Sequence, residues 1–120
     1  MKTSVIVRIT GALAVAAFMV GCEPDRMGYV DLAAEEVCDE ARRCDNLGSN
    51  GLHSDYDECI INERHSFNSM WPADDCGEGR INGDKFDTCM TRAKLWACEG
   101  GLGDWLSTAE HCAASRVCVD

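Results

Sequence analysis

Proline, basic residues and long apolar runs are all scarce in this 120-residue chain. The chain has two prolines and 11 glycines, which is too few of either for a collagen-like repeat. Eleven Lys and Arg against 21 Asp and Glu give a formal net charge of −10, which leaves no basic surface for nucleic acid. The uncharged stretch 9–20 would span about 18 Å as a helix, against a hydrocarbon core of roughly 30 Å, so a bundle of membrane-spanning helices is not expected.

The N-terminal residues have the organisation of an export signal. Lys2 and Arg8 precede the short apolar stretch 9–20, and small residues follow it. Residues 19–22, Met-Val-Gly-Cys, match a bacterial lipobox, in which the cysteine receives the lipid. The pattern predicts lipidation at Cys22. Two alternatives are a plain secreted protein, since leucine is commoner than methionine at the first lipobox position, and an ordinary disulfide role for Cys22.

The lipobox divides the chain into three parts. We expect a removed lipoprotein-type signal peptide over 1–21, a lipidated tether over 22–29 and a cysteine-rich helical domain over 30–120. The last two parts together carry nine basic and 21 acidic residues, a side-chain charge of −12. The expected location is the cell envelope of a Gram-negative bacterium, with the protein lipid-anchored on the periplasmic side or in the outer membrane.

Apolar residues recur at helical spacing through most of the domain, and no window alternates with a period of two. Helix-start and helix-stop residues bound four such segments, which run from 30 to 44, from Ser54 to no later than Pro72, from Asp84 or Asn82 to Gly100, and from Asp104 or Ser107 through Cys112. Ser54 with Asp57, and Ser107 with Glu110, would form capping boxes. The predicted fold is all-α, a small disulfide-rich bundle of about four short helices.

Without Cys22 the chain retains an even number of cysteines, which suits an oxidising compartment. They are Cys38, Cys44, Cys59, Cys76, Cys89, Cys98, Cys112 and Cys118. No two stand in a C-x-x-C arrangement, which excludes the thioredoxin-like motif and the usual zinc knuckle. All eight are therefore predicted to form disulfides that stabilise a domain with a thin apolar core.

Helix geometry excludes two bridges and leaves most pairings open. Cys38 and Cys44 would lie about 9 Å apart along one helix, and Cys89 and Cys98 about 13.5 Å apart along another, both beyond disulfide reach. Among the remaining alternatives, a pairing that links successive helices and ties the ends would be Cys44–Cys59, Cys76–Cys89, Cys98–Cys112 and Cys38–Cys118.

The cysteine pattern also carries a family resemblance. Residues 38–48, Cys-Asp-Glu-Ala-Arg-Arg-Cys-Asp-Asn-Leu-Gly, resemble the opening of a family of small eight-cysteine bacterial lipoproteins of unknown function, some of them labelled "natural product biosynthesis lipoprotein". Further similar features are Tyr56 before Cys59, Cys76 before Gly79-Arg80-Ile81, Cys89, Cys98 and the closing Cys112 with Val117-Cys118. The resemblance implies export and anchoring, and it brings no reaction and no active-site residues.

Catalytic and metal-binding patterns are sparse. His53, His65 and His111 form no H-E-x-x-H or H-x-x-x-H motif, so neither a catalytic nor a metal site is predicted. An acidic loop could hold a weak divalent cation through Asp74, Asp75 and Glu78. Trp71, Trp96 and Trp105 are expected in the core rather than on a ligand-stacking surface.

The favoured hypothesis is a non-enzymatic lipoprotein, a binding or scaffolding module that needs no cofactor. Its partners would be the membrane, through N-terminal acyl chains, and a cationic peptide, protein or small molecule, because the domain is acidic. Nucleic acid is not an expected partner. The alternatives are an accessory enzyme for a secreted small molecule, using the histidines, and the weak cation-binding module.

Overall fold

The computed structural model describes residues 24–49, 51–77 and 79–119. Within these ranges the chain is all-helical, and its only extended pairings are two isolated bridges, Leu47 with His53 and Ile81 with Cys118. The six helices are α1 (Arg26–Arg43), α2 (Tyr56–Met70), α3 (Ala73–Cys76), α4 (Gly83–Glu99), α5 (Leu102–Cys112) and α6 (Ala114–Val117). The all-α, disulfide-rich fold is confirmed, with four helices of eleven or more residues and two single turns that the apolar pattern did not predict.

Helix α1 begins four residues before the predicted start at Val30. Asp25 caps it, because its carboxylate accepts a 2.7 Å hydrogen bond from the amide of Gly28. Arg26 then donates a hydrogen bond of 2.8 Å to the backbone carbonyl of Trp71. Part of the segment interpreted as a tether is therefore helical. Cys22 and the predicted signal peptide lie outside the described residues.

The N-cap of helix α2 lies one residue later than predicted. Asp55, not Ser54, is the N-cap residue, and its side chain accepts a hydrogen bond from the amide of Glu58 at 2.8 Å. The side chain of Glu58 in turn accepts hydrogen bonds from the amide and the hydroxyl of Ser54. The predicted box of Ser54 with Asp57 is thus wrong, since glutamate at the third helical position reaches back better than the shorter aspartate.

The boundaries of α4 and α5 confirm one predicted start and correct another. Asn82 caps α4 by accepting from the amide of Lys85 at 3.0 Å, and Gly100 ends that helix with a left-handed φ of 68°. Helix α5 starts at Leu102, after Gly101. Ser107 therefore lies inside the helix, and its predicted capping box is wrong.

The core lies where α1 packs against α2 and α4, and α4 against α5. Trp71 is fully buried there, between Phe67 and Phe86, with ring centroids 5.0 and 5.9 Å away. Its indole nitrogen donates a 2.7 Å hydrogen bond to the carbonyl of Cys112. Small residues on the inner faces, such as Ala33 and Ala93, let the helices approach closely.

Four disulfides close the bundle, and they are Cys38–Cys59, Cys44–Cys98, Cys76–Cys118 and Cys89–Cys112. The first joins α1 to α2, the second joins the carboxyl ends of α1 and α4, and the fourth joins α4 to α5. The third ties α3 to the segment after α6. All eight cysteines assigned to disulfides are paired, and neither bridge excluded by helix geometry is present.

The guessed pairing is wrong in every bridge. It placed Cys44 with Cys59, Cys76 with Cys89, Cys98 with Cys112 and Cys38 with Cys118. The physical reason is that α1 lies between α2 and α4. Cys38 and Cys44 are six residues apart and so face directions roughly 120° apart around the helix axis. Cys38 therefore meets α2, and Cys44 meets α4.

None of the helices in the described part of the chain combines the length and the apolar character that a membrane crossing requires.

Candidate functional site

A buried carboxylate on α2 defines the candidate site. Glu63 is only 6% exposed, and it lies four residues after Cys59 and four before Phe67, both of which are buried. Residues four apart share one face of a helix, so Glu63 belongs to the core-facing side of α2. Carboxylates are rarely buried unless they are paired. The environment of Glu63 therefore decides what the site can do.

The partner of Glu63 comes from the loop between α1 and α2. His53 Nε2 lies 3.0 Å from Glu63 Oε2, and the side-chain nitrogen of Asn62 lies 3.3 Å from His53 Nδ1. In the tautomer that accepts from the Asn62 amide at Nδ1, Nε2 donates to the carboxylate. A backbone hydrogen bond of 2.8 Å from Gly48 to the carbonyl of His53 holds the loop in place. The imidazole thus has one partner at each ring nitrogen, Glu63 at Nε2 and Asn62 at Nδ1.

Burial shifts the acidity of this carboxyl. Desolvation raises the pKa of Glu63 above its ordinary value, and the hydrogen bond and electrostatic attraction of His53 lower it by less. A negative charge on Glu63 is therefore incompletely compensated by its surroundings.

A cavity of about 180 Å³ opens beside Glu63, between α2, α4 and α5. Its lining residues are Glu63, Ser66, Phe67, Met70, Ala93, Trp96, Trp105, Thr108 and Ala109. Trp105 is 48% exposed and stands at the mouth, whereas Glu63 lies at the base. Since an apolar cavity of about 150 Å³ admits benzene, this one has room for a molecule the size of a single substituted ring.

The second carboxylate oxygen of Glu63 has no hydrogen-bond partner among the described residues. Oε2 is engaged by His53, and the described residues supply no hydrogen bond to Oε1. No fully covered side-chain oxygen or nitrogen among the described residues lacks a hydrogen-bond partner. Oε1 therefore retains accessible surface, and Glu63 is one of the residues that line the cavity.

The two tryptophans of the cavity correct an expectation. Trp71 is in the core, as predicted, but Trp96 is only partly buried and Trp105 is nearly half exposed. Trp105 continues into an apolar face of α5 formed with Leu102 and Leu106, which are 73% and 55% exposed. The mouth of the cavity is therefore apolar.

An open groove of about 570 Å³ lies between α1 and α2 on another face of the molecule. It combines three acidic side chains with two isoleucines and a tyrosine, and its lining residues are Glu35, Asp39, Tyr56, Asp57, Ile60 and Ile61. The hydroxyl of Tyr56 donates to Asp39 at 2.7 Å, which raises the pKa of that tyrosine. Arg42 lies 4.2 Å from the centre of the Tyr56 ring. Arg42 therefore already compensates part of the negative charge of this groove.

The other residues singled out from the sequence do not converge. His65 is exposed, and His111 hydrogen-bonds the carbonyl of Ser107 through Nδ1 at 2.8 Å. Asp74 and Asp75 are exposed, and Glu78 lies outside the described residues.

One trio among the described residues brings its candidate metal-ligand atoms close together. It consists of Glu40, Cys44 and Cys98, whose candidate ligand atoms lie within 4.8 Å of one another. The two sulfurs form a disulfide with each other, so they offer no thiolate pair to a metal ion.

Sequence reasoning missed Glu63, although a signal was present. Cys59 and Phe67 belong to the apolar residues that recur at helical spacing in this segment, and Glu63 occupies the position midway between them. A charged residue on a stripe otherwise apolar indicates a buried, paired carboxylate. Its partner, His53, could not be recognised because it lies outside the helix.

One family model matches residues 38–120, more than half of the chain, and its description is "Family of unknown function (DUF6184)". The chain belongs to DUF6184. All eight paired cysteines of this DUF6184 protein lie within the matched segment, as do Glu63, Trp96 and Trp105. Comparison with curated proteins and with solved structures found no match. The resemblance to a family of unknown function is thereby confirmed, and the lipoprotein assignment is taken up below as a proposal.

Proposed function

We propose that this DUF6184 protein is a lipid-anchored, non-enzymatic binding protein of the Gram-negative cell envelope, and that its cavity holds a small, largely apolar molecule. The single observation that carries the binding role is the cavity itself, whose lining combines two tryptophans, one of them 48% exposed, with a buried carboxylate. Sites for small ligands commonly combine apolar walls with a few polar groups that fix orientation.

Two observations support the anchor. Residues 19–22 match a lipobox that follows a basic start and a short apolar stretch. Every other cysteine of the chain has a disulfide partner in the described structure, so no thiol of this chain is left to pair with Cys22. An odd cysteine in an exported protein calls for another use, and acylation is one.

The geometry favours binding over catalysis. Both ring nitrogens of His53 have partners, Glu63 and Asn62, so neither is free to take a proton from a substrate. Some members of the family that the chain resembles are labelled "natural product biosynthesis lipoprotein", and an association with natural-product biosynthesis or export is consistent with a protein that holds a small organic molecule.

A matched pair of variants on α2 tests the binding role. Ser66 and Ser69 are both exposed, but only Ser66 belongs to the cavity lining. The wild-type protein is titrated with benzyl alcohol and with benzylamine, while the indole N–H signals are followed by NMR. We expect the Trp96 and Trp105 signals to shift in the wild type and in Ser69→Phe, and not in Ser66→Phe, where the new ring obstructs the cavity. Absence of any shift in the wild type with both compounds would contradict the proposal.

A further inference from the structure

The base of the cavity carries a single acidic side chain. Glu63 contributes a carboxylate, and His53 Nε2 lies 3.0 Å from its Oε2. Among the described residues no lysine or arginine forms an ion pair with Glu63. The other lining residues from α2, α4 and α5 are uncharged. An anionic ligand would be repelled there, whereas a cation would supply the missing charge compensation.

The walls favour an organic cation over a metal ion. Trp96 and Trp105 line the same cavity as Glu63, and indole rings attract cations electrostatically. Ca²⁺ needs six to eight oxygen ligands, whereas the only carboxylate in this lining is Glu63, and Phe67 and Met70 fill much of the remaining wall. An ammonium group on an apolar body matches both ends of the cavity.

The unpartnered carboxylate oxygen of Glu63 narrows the class of organic cation further. Oε1 of Glu63 has no donor from the described residues and retains accessible surface, and Glu63 lines the cavity. A primary ammonium carries N–H groups that can donate to Oε1, whereas a quaternary ammonium has none. The volume of about 180 Å³ limits the rest of the ligand to about one ring or a short alkyl chain.

We propose that the cavity binds a primary alkylammonium group on a small apolar body, with its nitrogen donating to Glu63 Oε1 and its body between Trp96 and Trp105. This inference deepens the proposed binding function and depends on it. The same chemistry occurs in a free amine and in a lysine side chain of a partner protein.

Benzylamine and benzyl alcohol provide the test, because they have similar size and differ in charge. In the disulfide-bonded protein we expect benzylamine to bind at least tenfold more tightly than benzyl alcohol, the gain typical of one charge-assisted hydrogen bond. The advantage should disappear in Glu63→Gln and persist in Glu58→Gln, an exposed position on the same helix. Affinities come from the NMR shifts of Trp96 and Trp105. Trp71, which does not line the cavity, should respond less.

The titrations distinguish a failure of the ammonium assignment from a failure of the proposed binding function. Equal affinities in the wild type, or an advantage that survives in Glu63→Gln, would overturn the ammonium assignment and leave the binding function standing. Absence of binding by both compounds would overturn the proposed function and this inference with it. Nα-acetyl-lysine N-methylamide, titrated in parallel, distinguishes the two sources of the ammonium group, a free amine and a lysine side chain of a partner protein. Tighter binding than benzylamine identifies a lysine side chain as the natural ligand, and weaker binding identifies a free amine.

Discussion

At the scale of single residues, burial of the Glu63 carboxylate beside the cavity opposes folding when that carboxylate is charged. Its pKa is raised in the folded protein, so folding favours the protonated carboxyl. Between the ordinary and the raised pKa the folded protein binds more protons than the unfolded chain, and the free energy of unfolding falls as pH rises through that interval. Glu58, on the same helix, has the opposite sign, because the hydrogen bonds from Ser54 lower its pKa.

Replacement of Glu63 by glutamine should therefore stabilise the protein at neutral pH. Glu63→Gln keeps an oxygen to accept from His53 and removes the buried charge. We expect its urea midpoint at pH 7 to exceed that of the wild type, and the difference to vanish below about pH 4, where the glutamate is protonated in both states. Glu58→Gln should lower the midpoint at pH 7. A lower midpoint for Glu63→Gln at pH 7 would contradict this prediction, because it would show that the charge of Glu63 is already compensated in the folded protein.

At the scale of helices, side-chain caps decide where the helices begin. Asn82 and Ser107 both have the residue type of an N-cap, but only Asn82 caps a helix, through the amide of Lys85. Ser107 lies in the middle of α5, because Gly101 and Leu102 already start that helix. The same residue type thus has two different structural roles.

These roles predict unequal responses to alanine. Asn82→Ala should lower the free energy of unfolding by about 1 kcal/mol, the usual loss for an N-cap side chain. Ser107→Ala should leave it within about 0.5 kcal/mol of the wild type or raise it slightly, since alanine is the better helix former. Urea unfolding followed by circular dichroism measures both. A loss of about 1 kcal/mol in Ser107→Ala would contradict the observed start of α5.

At the scale of the whole molecule, the cysteines divide into eight that brace the fold and one proposed to anchor it. We expect Cys22→Ser to move the protein from the membrane fraction to the soluble or unprocessed fraction, because acyl chains supply the only proposed hold on lipid. Its non-reduced peptide map should still contain the four bridges. The matched control is the double variant Cys44→Ser, Cys98→Ser, which should lose about 2–4 kcal/mol of stability and remain in the membrane fraction. Membrane association of Cys22→Ser would refute the anchor.

Much of the architecture could be predicted because it depends on short-range patterns. Helical spacing places Val37 and Phe86 inward, Pro72 limits α2, and Gly100 ends α4. The errors were at positions where neighbouring residue types compete, such as Ser54 beside Asp55. Two short turns, α3 and α6, were missed because four residues are too few for any periodicity.

The sequence by itself determined that the chain is helical, that Cys38 cannot bridge Cys44, and that the cysteines other than Cys22 are even in number, because these follow from helical rise and simple counting. Only the tertiary structure decided that Cys44 meets Cys98, 54 residues away, and that a loop brings His53 to Glu63. Those contacts depend on which faces of packed helices oppose each other. That choice is made by the whole core at once, and no local pattern in the chain records it.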